Sequence, residues 1–350
     1  MLEGPNGQGK TNFLEACYLA CTLRPLRAQK LSELIQFGRD SASVVGTFEM
    51  RGGERKIEVE VSHGKRLARL DGKPLRDPDE LFNELAVVAF TPDDLSLVKA
   101  GPDGRRRLLD RAVQNRHPAQ LSDARDYLRA LKSRNELLRQ GAPDAVREAF
   151  DEPLAISGAK LRLRREAVLR ELVPFAERAF AQVARGEAQL QLGYQAAGSE
   201  LGSIDAESES QLTQRLLAGL RSRLVRDRLR GFTSVGPHAD DLSITLGDKP
   251  ARAFASQGQA RAIVLAFKIG ELENLRARQG RAPLLLLDDV SSELDPERNA
   301  FLMNSLAALA GQVLLTTTDA QNLTRALREA RREQGDVRHY QVKNGRLCST

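Results

Sequence analysis

The chain has 350 residues, 41% hydrophobic and 29% charged, with 53 Lys and Arg against 47 Asp and Glu, a net charge of +6 and a pI near 9.4. That is room for two domains or one domain with a large insertion, and no apolar run approaches the roughly 20 residues of a membrane span. Three cysteines (Cys17, Cys21, Cys348) exclude a disulfide framework or a zinc cluster, the first four residues show no basic-then-apolar leader, and the expected compartment is the reducing cytoplasm. Trp is absent and aromatics make up 5%, so base stacking is not an expected mode of nucleic-acid recognition, whereas backbone contact through Arg and Lys is.

In chain order, a glycine-rich loop at 4–9 opens a helix expected over about 10–21. Residues 43–90 read as β-rich: 43–50 and 56–61 alternate or carry β-branched residues, Asp71-Gly72 is a hairpin signal, and 85–90 is an apolar run of buried-strand length. Two long helices follow, with inward faces at Leu121, Ala124, Leu128, Leu131, Asn135 and Leu138, then at Leu154, Gly158, Leu161, Arg165, Val168, Leu172 and Phe175. Gly141-Ala142-Pro143 separates them, predicting a short antiparallel coiled arm whose helices of about 20 residues reach roughly 30 Å. Residues 196–210 are small and polar, hence a loop, and strand character returns at 241–246, 284–287, 313–316 and 337–342. The chemistry-bearing segments lie at the two ends. The expected architecture is therefore an α/β nucleotide-binding head, split between residues 1–110 and 231–350, with 111–230 inserted as a helical lobe.

Gly4-Pro5-Asn6-Gly7-Gln8-Gly9-Lys10-Thr11 fits the phosphate-loop pattern G-x-x-x-x-G-K-S/T. Glycines let backbone N–H groups turn toward phosphate oxygens at a helix N-terminus. Lys10 would reach the β- and γ-phosphates and Thr11 would offer its hydroxyl to Mg²⁺. The plain alternative is a glycine-rich turn before a helix. Asp288 ends the four-leucine strand, where a Mg²⁺-binding acid belongs, and Asp289 follows, placed to polarise an attacking water. The alternative is a pair of carboxylates capping a strand end. Ser256-Gln257-Gly258-Gln259 opens a helix. Ser256 is an N-cap on the plain reading, and on the sharper one its hydroxyl and the following N–H groups form a γ-phosphate site.

Taken together, GPNGQGKTNFLEA (4–16), FTPDDLSLVKAGPDGRRRLLD (90–110), YLRALKSRNELL (127–138), VGPHADD (235–241), FASQGQAR (254–261) and LLLLDDVSSELD (284–295) resemble the RecF family, bacterial ABC-type ATPases related to the SMC proteins. The phosphate loop is generic; the F-x-P-x-D-L, GPH-x-DD and SQGQ segments are more specific. The resemblance implies an ABC-type ATPase head, a mixed sheet plus a β-rich lobe, carrying the helical lobe and arm. It implies ATP and Mg²⁺ as cofactors and a head-to-tail homodimer formed with ATP. In that dimer Ser256, Gln257, Gly258 and Gln259 would cap the partner's nucleotide, and Ser292 to Asp295 would form the loop that crosses between sites. Arg27 would lie near the nucleotide. Duplex, gapped or single-strand/duplex junction DNA would be bound with little sequence preference. RecR would be the direct partner and RecO and RecA indirect ones, in recombinational repair, replication-fork maintenance and the SOS response.

Candidate DNA contacts are Arg105, Arg106 and Arg107 and, on the second arm helix, Lys160 and Arg164 with neighbouring Arg162, Arg165 and Arg170; solvated or ion-paired faces are the alternative. His238 could sense a γ-phosphate or make a structural hydrogen bond. Two departures from the family stand out. Only Met1-Leu2-Glu3 precede Gly4, so the strand feeding the phosphate loop is expected to be missing, and Ala239 stands where the family usually has Arg. Two other functions stay open: a catalytically weak nucleotide-dependent clamp, because Asp289 replaces the glutamate common in this superfamily, and the ATPase subunit of a transporter. Against the latter, Ser256 lies 246 residues beyond Lys10 and the strand after Asp288 ends in three threonines rather than a histidine.

Overall fold

The structure, a computed structural model, describes residues 1–28, 30–50, 53–82, 84–117, 119–184, 188–197, 208–280, 282–289, 294–309, 311–318 and 337–349. Two compact units divide the chain: Met1–Leu95 with Val264–Thr350, and Ser96–Ile263. The sequence reading gave the inserted lobe 111–230. The second unit is wider because helix α4 (Pro102–Arg116) and the strand pair β7 (Leu190–Gln195) and β8 (Asp241–Leu246) pack on the long helix α6 (Asp144–Val183) or on one another.

In the first unit, Leu2–Glu3 form strand β1, and the loop after it leads into helix α1 (Lys10–Thr22). Strands β2 (Ser41–Met50), β3 (Gly53–Ser62), β4 (Lys65–Leu70) and β5 (Lys73–Pro74) make an antiparallel sheet, the expected β-rich lobe. Its last turn is Asp71-Gly72, with φ of 50° and 77°, as the hairpin signal required. Helix α2 (Asp79–Phe82), strand β6 (Val87–Phe90) and helix α3 (Pro92–Leu95) follow. From the other end of the chain come helix α10 (Gln257–Gln279) from Val264 onward, its first residues belonging to the second unit, then strand β10 (Leu284–Asp288), helix α11 (Pro296–Leu309) and strands β11 (Gln312–Thr317), β12 (Tyr340–Lys343) and β13 (Arg346–Ser349).

These strands form one sheet in the order β13-β12-β1-β11-β10-β6, parallel except for β13. Strand β1 does exist: Leu2 pairs with Thr316 on one side and Tyr340 on the other. The two residues before Gly4 therefore occupy the central position that the sequence reading expected to be missing. Leu286 lies opposite Leu314 and Ala89, so β10 is sandwiched between two parallel neighbours and needs its unbroken apolar run. Leu14, Tyr18 and Cys21, spaced 4 and 3 along α1, pack with Val87, Ala89 and Leu286. Each such large apolar side chain contributes about 1.5–3 kcal/mol when fully buried.

The second unit holds α4, helix α5 (Gln120–Arg139), α6, β7, helices α7 (Glu209–Ser222) and α8 (Leu224–Arg230), β8, strand β9 (Lys249–Pro250) and helix α9 (Ala251–Phe254). Strands β7, β8 and β9 form a small sheet. Helices α5 and α6 pair along their length, with the break at 140–143 where Gly141 adopts φ 63°. Two expectations need correction. Helix α6 has 40 residues and continues through Pro153 and Pro174, so it spans about 60 Å rather than 30. The inner face of α5 carries buried Tyr127, Ala130, Arg134 and Leu138, whereas Leu128 is 58% exposed. Hydrophobicity alone ranks Leu128 above Arg134, but Arg134 has specific buried partners and Leu128 has none to gain. Most of the expected loop at 196–210 lies outside the described residues.

Candidate nucleotide site

Open parallel sheets present their ligand sites beyond the carboxyl ends of the strands. Here that edge collects the end of β1 with the phosphate loop, the end of β10 with Asp288, and the end of β11 with Thr316. Gly7 and Gly9 take left-handed backbones (φ 81° and 94°), and Gly9 is the residue from which α1 starts. Lys10 is buried, its ammonium donating to the Gly4 carbonyl and, at 3.0 Å, to the Pro5 carbonyl. The Thr11 hydroxyl donates to Asp288, 2.9 Å from Oδ1 and 3.1 Å from Oδ2. The expected loop residues and the expected metal-binding acid thus meet across 277 positions of sequence.

Asp288 is 4% exposed and draws two further groups. The Thr316 hydroxyl donates to its Oδ1 at 2.9 Å and accepts the Asp289 N–H at 3.0 Å. Arg27 lies 3.6 Å from Asp288 Oδ2 and 3.6 Å from Asp93. Arg27 is placed by Glu15 of α1, whose carboxylate accepts the N–H groups of Leu26 (2.7 Å) and Arg27 (3.2 Å). Asp289 turns sharply out of the strand with φ 49°, its N–H also bonded to the Thr316 carbonyl at 3.2 Å. Sequence reasoning missed Glu15, Asp93 and Thr316 as parts of this site. The first two sit inside quoted motif segments, so their signal was present; Thr316 is recognisable only once β11 is laid beside β10.

Among the described residues there is no group of three or more His, Cys, Asp or Glu able to hold a metal alone. Mg²⁺ does not need one, because it is commonly held by one or two carboxylates together with the substrate's phosphates. The oxygen pair of Thr11 and Asp288 fits that donor set.

In the second unit, Ser256 is exposed at the start of α10 and forms a reciprocal cap. Its Oγ accepts the Gln259 N–H at 3.1 Å, while Gln259 Oε1 accepts the Ser256 N–H at 2.8 Å. Gln257 is exposed and Gly258 half-buried. Asp295 caps α11 by accepting the Arg298 N–H at 3.0 Å; Ser292 lies outside the described residues.

A family model described as RecF/RecN/SMC N terminal domain matches residues 1–339. A protein of Myxococcus xanthus (strain DK1622) called DNA replication and repair protein RecF is 56% identical over 318 residues, covering 90% of this chain and 83% of its own. One of Anaeromyxobacter sp. (strain K) with the same name is 55% identical over 323 residues, covering 91% and 86%. The chain belongs to the RecF family. A solved structure of the recombination mediator protein RecF with ATP, described as part of the RecFOR pathway, matches with a TM-score of 0.84 at 29% identity, over 100% of this chain and 90% of that one.

The arginines of this RecF-family chain that sequence reasoning set against DNA are mostly committed inside the second unit. Arg105 is 4% exposed, donates to the Leu97, Val98 and Ala100 carbonyls, and grips both oxygens of Asp241 (2.8 and 2.7 Å). Its role as a DNA contact is withdrawn on that geometry. Arg106 donates to the Asp240 carbonyl at 2.5 Å and pairs with Asp103. Arg164 pairs with Asp123 at 2.5 Å. Arg107 is exposed and Lys160 half-buried. Arg162 and Arg165 are also buried, on Asp240 and Asp110.

The GPH-A-DD segment is the hub of that network. Asp240 is fully buried and receives Arg162 (2.8 and 2.6 Å), the Tyr194 hydroxyl (2.5 Å) and the Ala197 N–H (2.7 Å). His238 Nε2 lies 2.8 Å from the Thr233 carbonyl and Nδ1 lies 2.5 Å from the Tyr127 hydroxyl. A carbonyl can only accept, so the proton sits on Nε2 and Tyr127 donates to Nδ1. Burial holds the His238 imidazole below its ordinary pKa and pushes the Tyr127 phenol up. His238 is thus a neutral structural group here. Gly236 is required for this contact: its φ is 130°, and a Cβ there would lie 2.4 Å from the Tyr127 hydroxyl. Nothing in the structure explains Ala239.

Proposed function

We propose that this chain is an ATP-dependent DNA-binding protein of recombinational repair and replication-fork maintenance. The observation that carries the reading is the convergence of Lys10 and Thr11 with Asp288 at the carboxyl edge of a parallel sheet. Relatives named for DNA replication and repair, and solved RecF structures with ATP and with ATPrS, support it.

Residues 4–11 would cradle the phosphates, with Lys10 on the β- and γ-phosphates. Thr11 and Asp288 would hold Mg²⁺, which supplies charge neutralisation of the triphosphate when bound. Asp289 would orient the attacking water, and Arg27 would exchange its carboxylate partners for phosphate oxygens. Ser256, Gln257, Gly258 and Gln259 would serve the nucleotide of a second copy, with Asp295 in the loop between sites. ATP would close the homodimer on duplex, gapped or junction DNA and slow hydrolysis would reopen it, an equilibrium shifted by γ-phosphate contacts. Arg107, Lys160 and the partly covered Arg106 and Arg164 are the DNA contacts this reading retains. RecR is the proposed direct partner, with RecO and RecA downstream in recombinase loading. The shorter Asp289, with its backbone pinned to Thr316, favours slow turnover, so the weak-clamp alternative differs from this reading in rate rather than in architecture.

Thr316→Val should leave ATP binding within about threefold and cut Mg²⁺-dependent hydrolysis by about 10- to 100-fold, because one hydroxyl orders both acids; Thr316→Ser should restore it. An unchanged rate in the Val variant would remove Thr316 from the site. The function itself is tested by titrating duplex DNA with ATP or ADP at several salt concentrations. Binding should require ATP and weaken roughly tenfold or more between 50 and 200 mM salt, with little dependence on sequence. Equal binding with ADP, or strong selection among sequences, would contradict the reading.

A further inference from the structure

Strands β12 and β13 turn at Asn344-Gly345, both with left-handed backbones (φ 50° and 73°). This turn touches the phosphate loop. The Asn344 N–H donates to Gln8 Oε1 at 2.8 Å, and the Gly345 N–H donates to the Gln8 carbonyl at 2.9 Å. The Gly345 Cα is so near that a Cβ on Gly9 would lie 3.2 Å from it. At the other end of the loop, the Val342 carbonyl of β12 would lie 2.5 Å from a Cβ on Gly4. One hairpin therefore meets the loop at its first glycine, at its last glycine and at Gln8 between them.

Gln8 occupies an unspecified position of the phosphate-loop pattern, yet both its side chain and its carbonyl are committed to the hairpin. Gly7 and Gly9 flank it with left-handed backbones. A glycine-rich loop left to itself samples many conformations, and ordering it on binding would weaken the complex. Two hydrogen bonds from the β12–β13 turn lower that cost before the phosphate arrives.

We propose that the Asn344-Gly345 turn is a positioning element for the phosphate loop, acting through Gln8, and that it sets affinity for the triphosphate. This rests on the reading of the loop as an ATP site. The test is displacement of a fluorescent ATP analogue from the full chain by MgATP. The variants are Gln8→Leu, which removes the side-chain acceptor of the Asn344 N–H, Asn344→Pro, which removes that donor and forbids the left-handed backbone, and the double variant. Each single change should weaken binding about tenfold, and the double change no more than either alone, because both break one link. Asn344→Gly keeps the N–H and the turn and should stay within about twofold of the parent. Should Asn344→Pro fail to fold, Gly345→Ala replaces it, since it strains φ 73° while a Cβ there meets nothing within 4 Å. Unchanged affinity in folded single variants, or losses that multiply to about 100-fold in the double, would overturn the proposal. Failure of the parent chain to bind ATP would instead defeat the underlying assignment of the site.

Discussion

Arg134→Ala should destabilise the second unit by about 3–5 kcal/mol, the cost of breaking a buried ion pair from one side. Arg134 is fully buried on the inner face of α5. Its Nε donates to Asp151 at 2.7 Å, and its Nη1 donates to Asp227 at 3.2 Å and to the Thr233 hydroxyl at 2.8 Å. Asp227 is itself fully buried and otherwise accepts the Ser234 N–H and hydroxyl at 3.1 and 2.6 Å. Asp151 keeps Arg147 as a second cation, so the orphaned charge falls mainly on Asp227. The substitution therefore leaves Asp227 fully buried without the cation that, among the described residues, it pairs with. Urea denaturation read by circular dichroism measures the loss. A change below about 1 kcal/mol would show that the network is dispensable.

The second large effect is at Lys10. Lys10→Met keeps the length of the side chain and removes its charge. ATP affinity should fall by about 100-fold or more, because in the proposed site this desolvated cation at the base of the loop would face the phosphates and no other cation of the described loop could replace it. Stability should change little, since only the Gly4 and Pro5 carbonyls lose a partner. Isothermal titration with ATP and a thermal melt separate the two effects. Near-parental affinity in a folded variant would mean that the loop binds phosphate by backbone alone.

Local patterns made much of the head legible in the sequence. The phosphate loop, the leucine run of β10 and the Ser256 cap each depend on residues within one turn or one strand, and their spacing carries the geometry. What was not legible depends on pairing between distant segments. Arg105, Arg162 and Arg165 looked like a basic surface because a run of arginines has the same composition whether it faces water or carboxylates. Their partners, Asp241, Asp240 and Asp110, lie 136, 78 and 55 positions away. Tyr127 and Arg134 were overlooked for the same reason: helical periodicity counts apolar side chains, and these two are buried by hydrogen bonds. Thr316 and Gln8 acquire meaning only when β11 and the β12–β13 turn are placed beside the loop. Strand β1 was not legible because two residues, Leu2 and Glu3, carry no periodicity of their own; they are recognisable as a strand only once they are laid between β11 and β12.

In the proposed mechanism a second copy of the chain completes the site, and mixing two defective variants probes that sharing. Lys10→Met spoils the loop but leaves Ser256 intact. Ser256→Arg spoils the cap but should leave ATP binding by the single chain nearly unchanged. Sedimentation velocity with ATP should show monomers for each variant alone and a dimer in the mixture, holding one intact composite site. A mixture that stays monomeric, or a Ser256→Arg chain that dimerises with ATP on its own, would contradict a shared site.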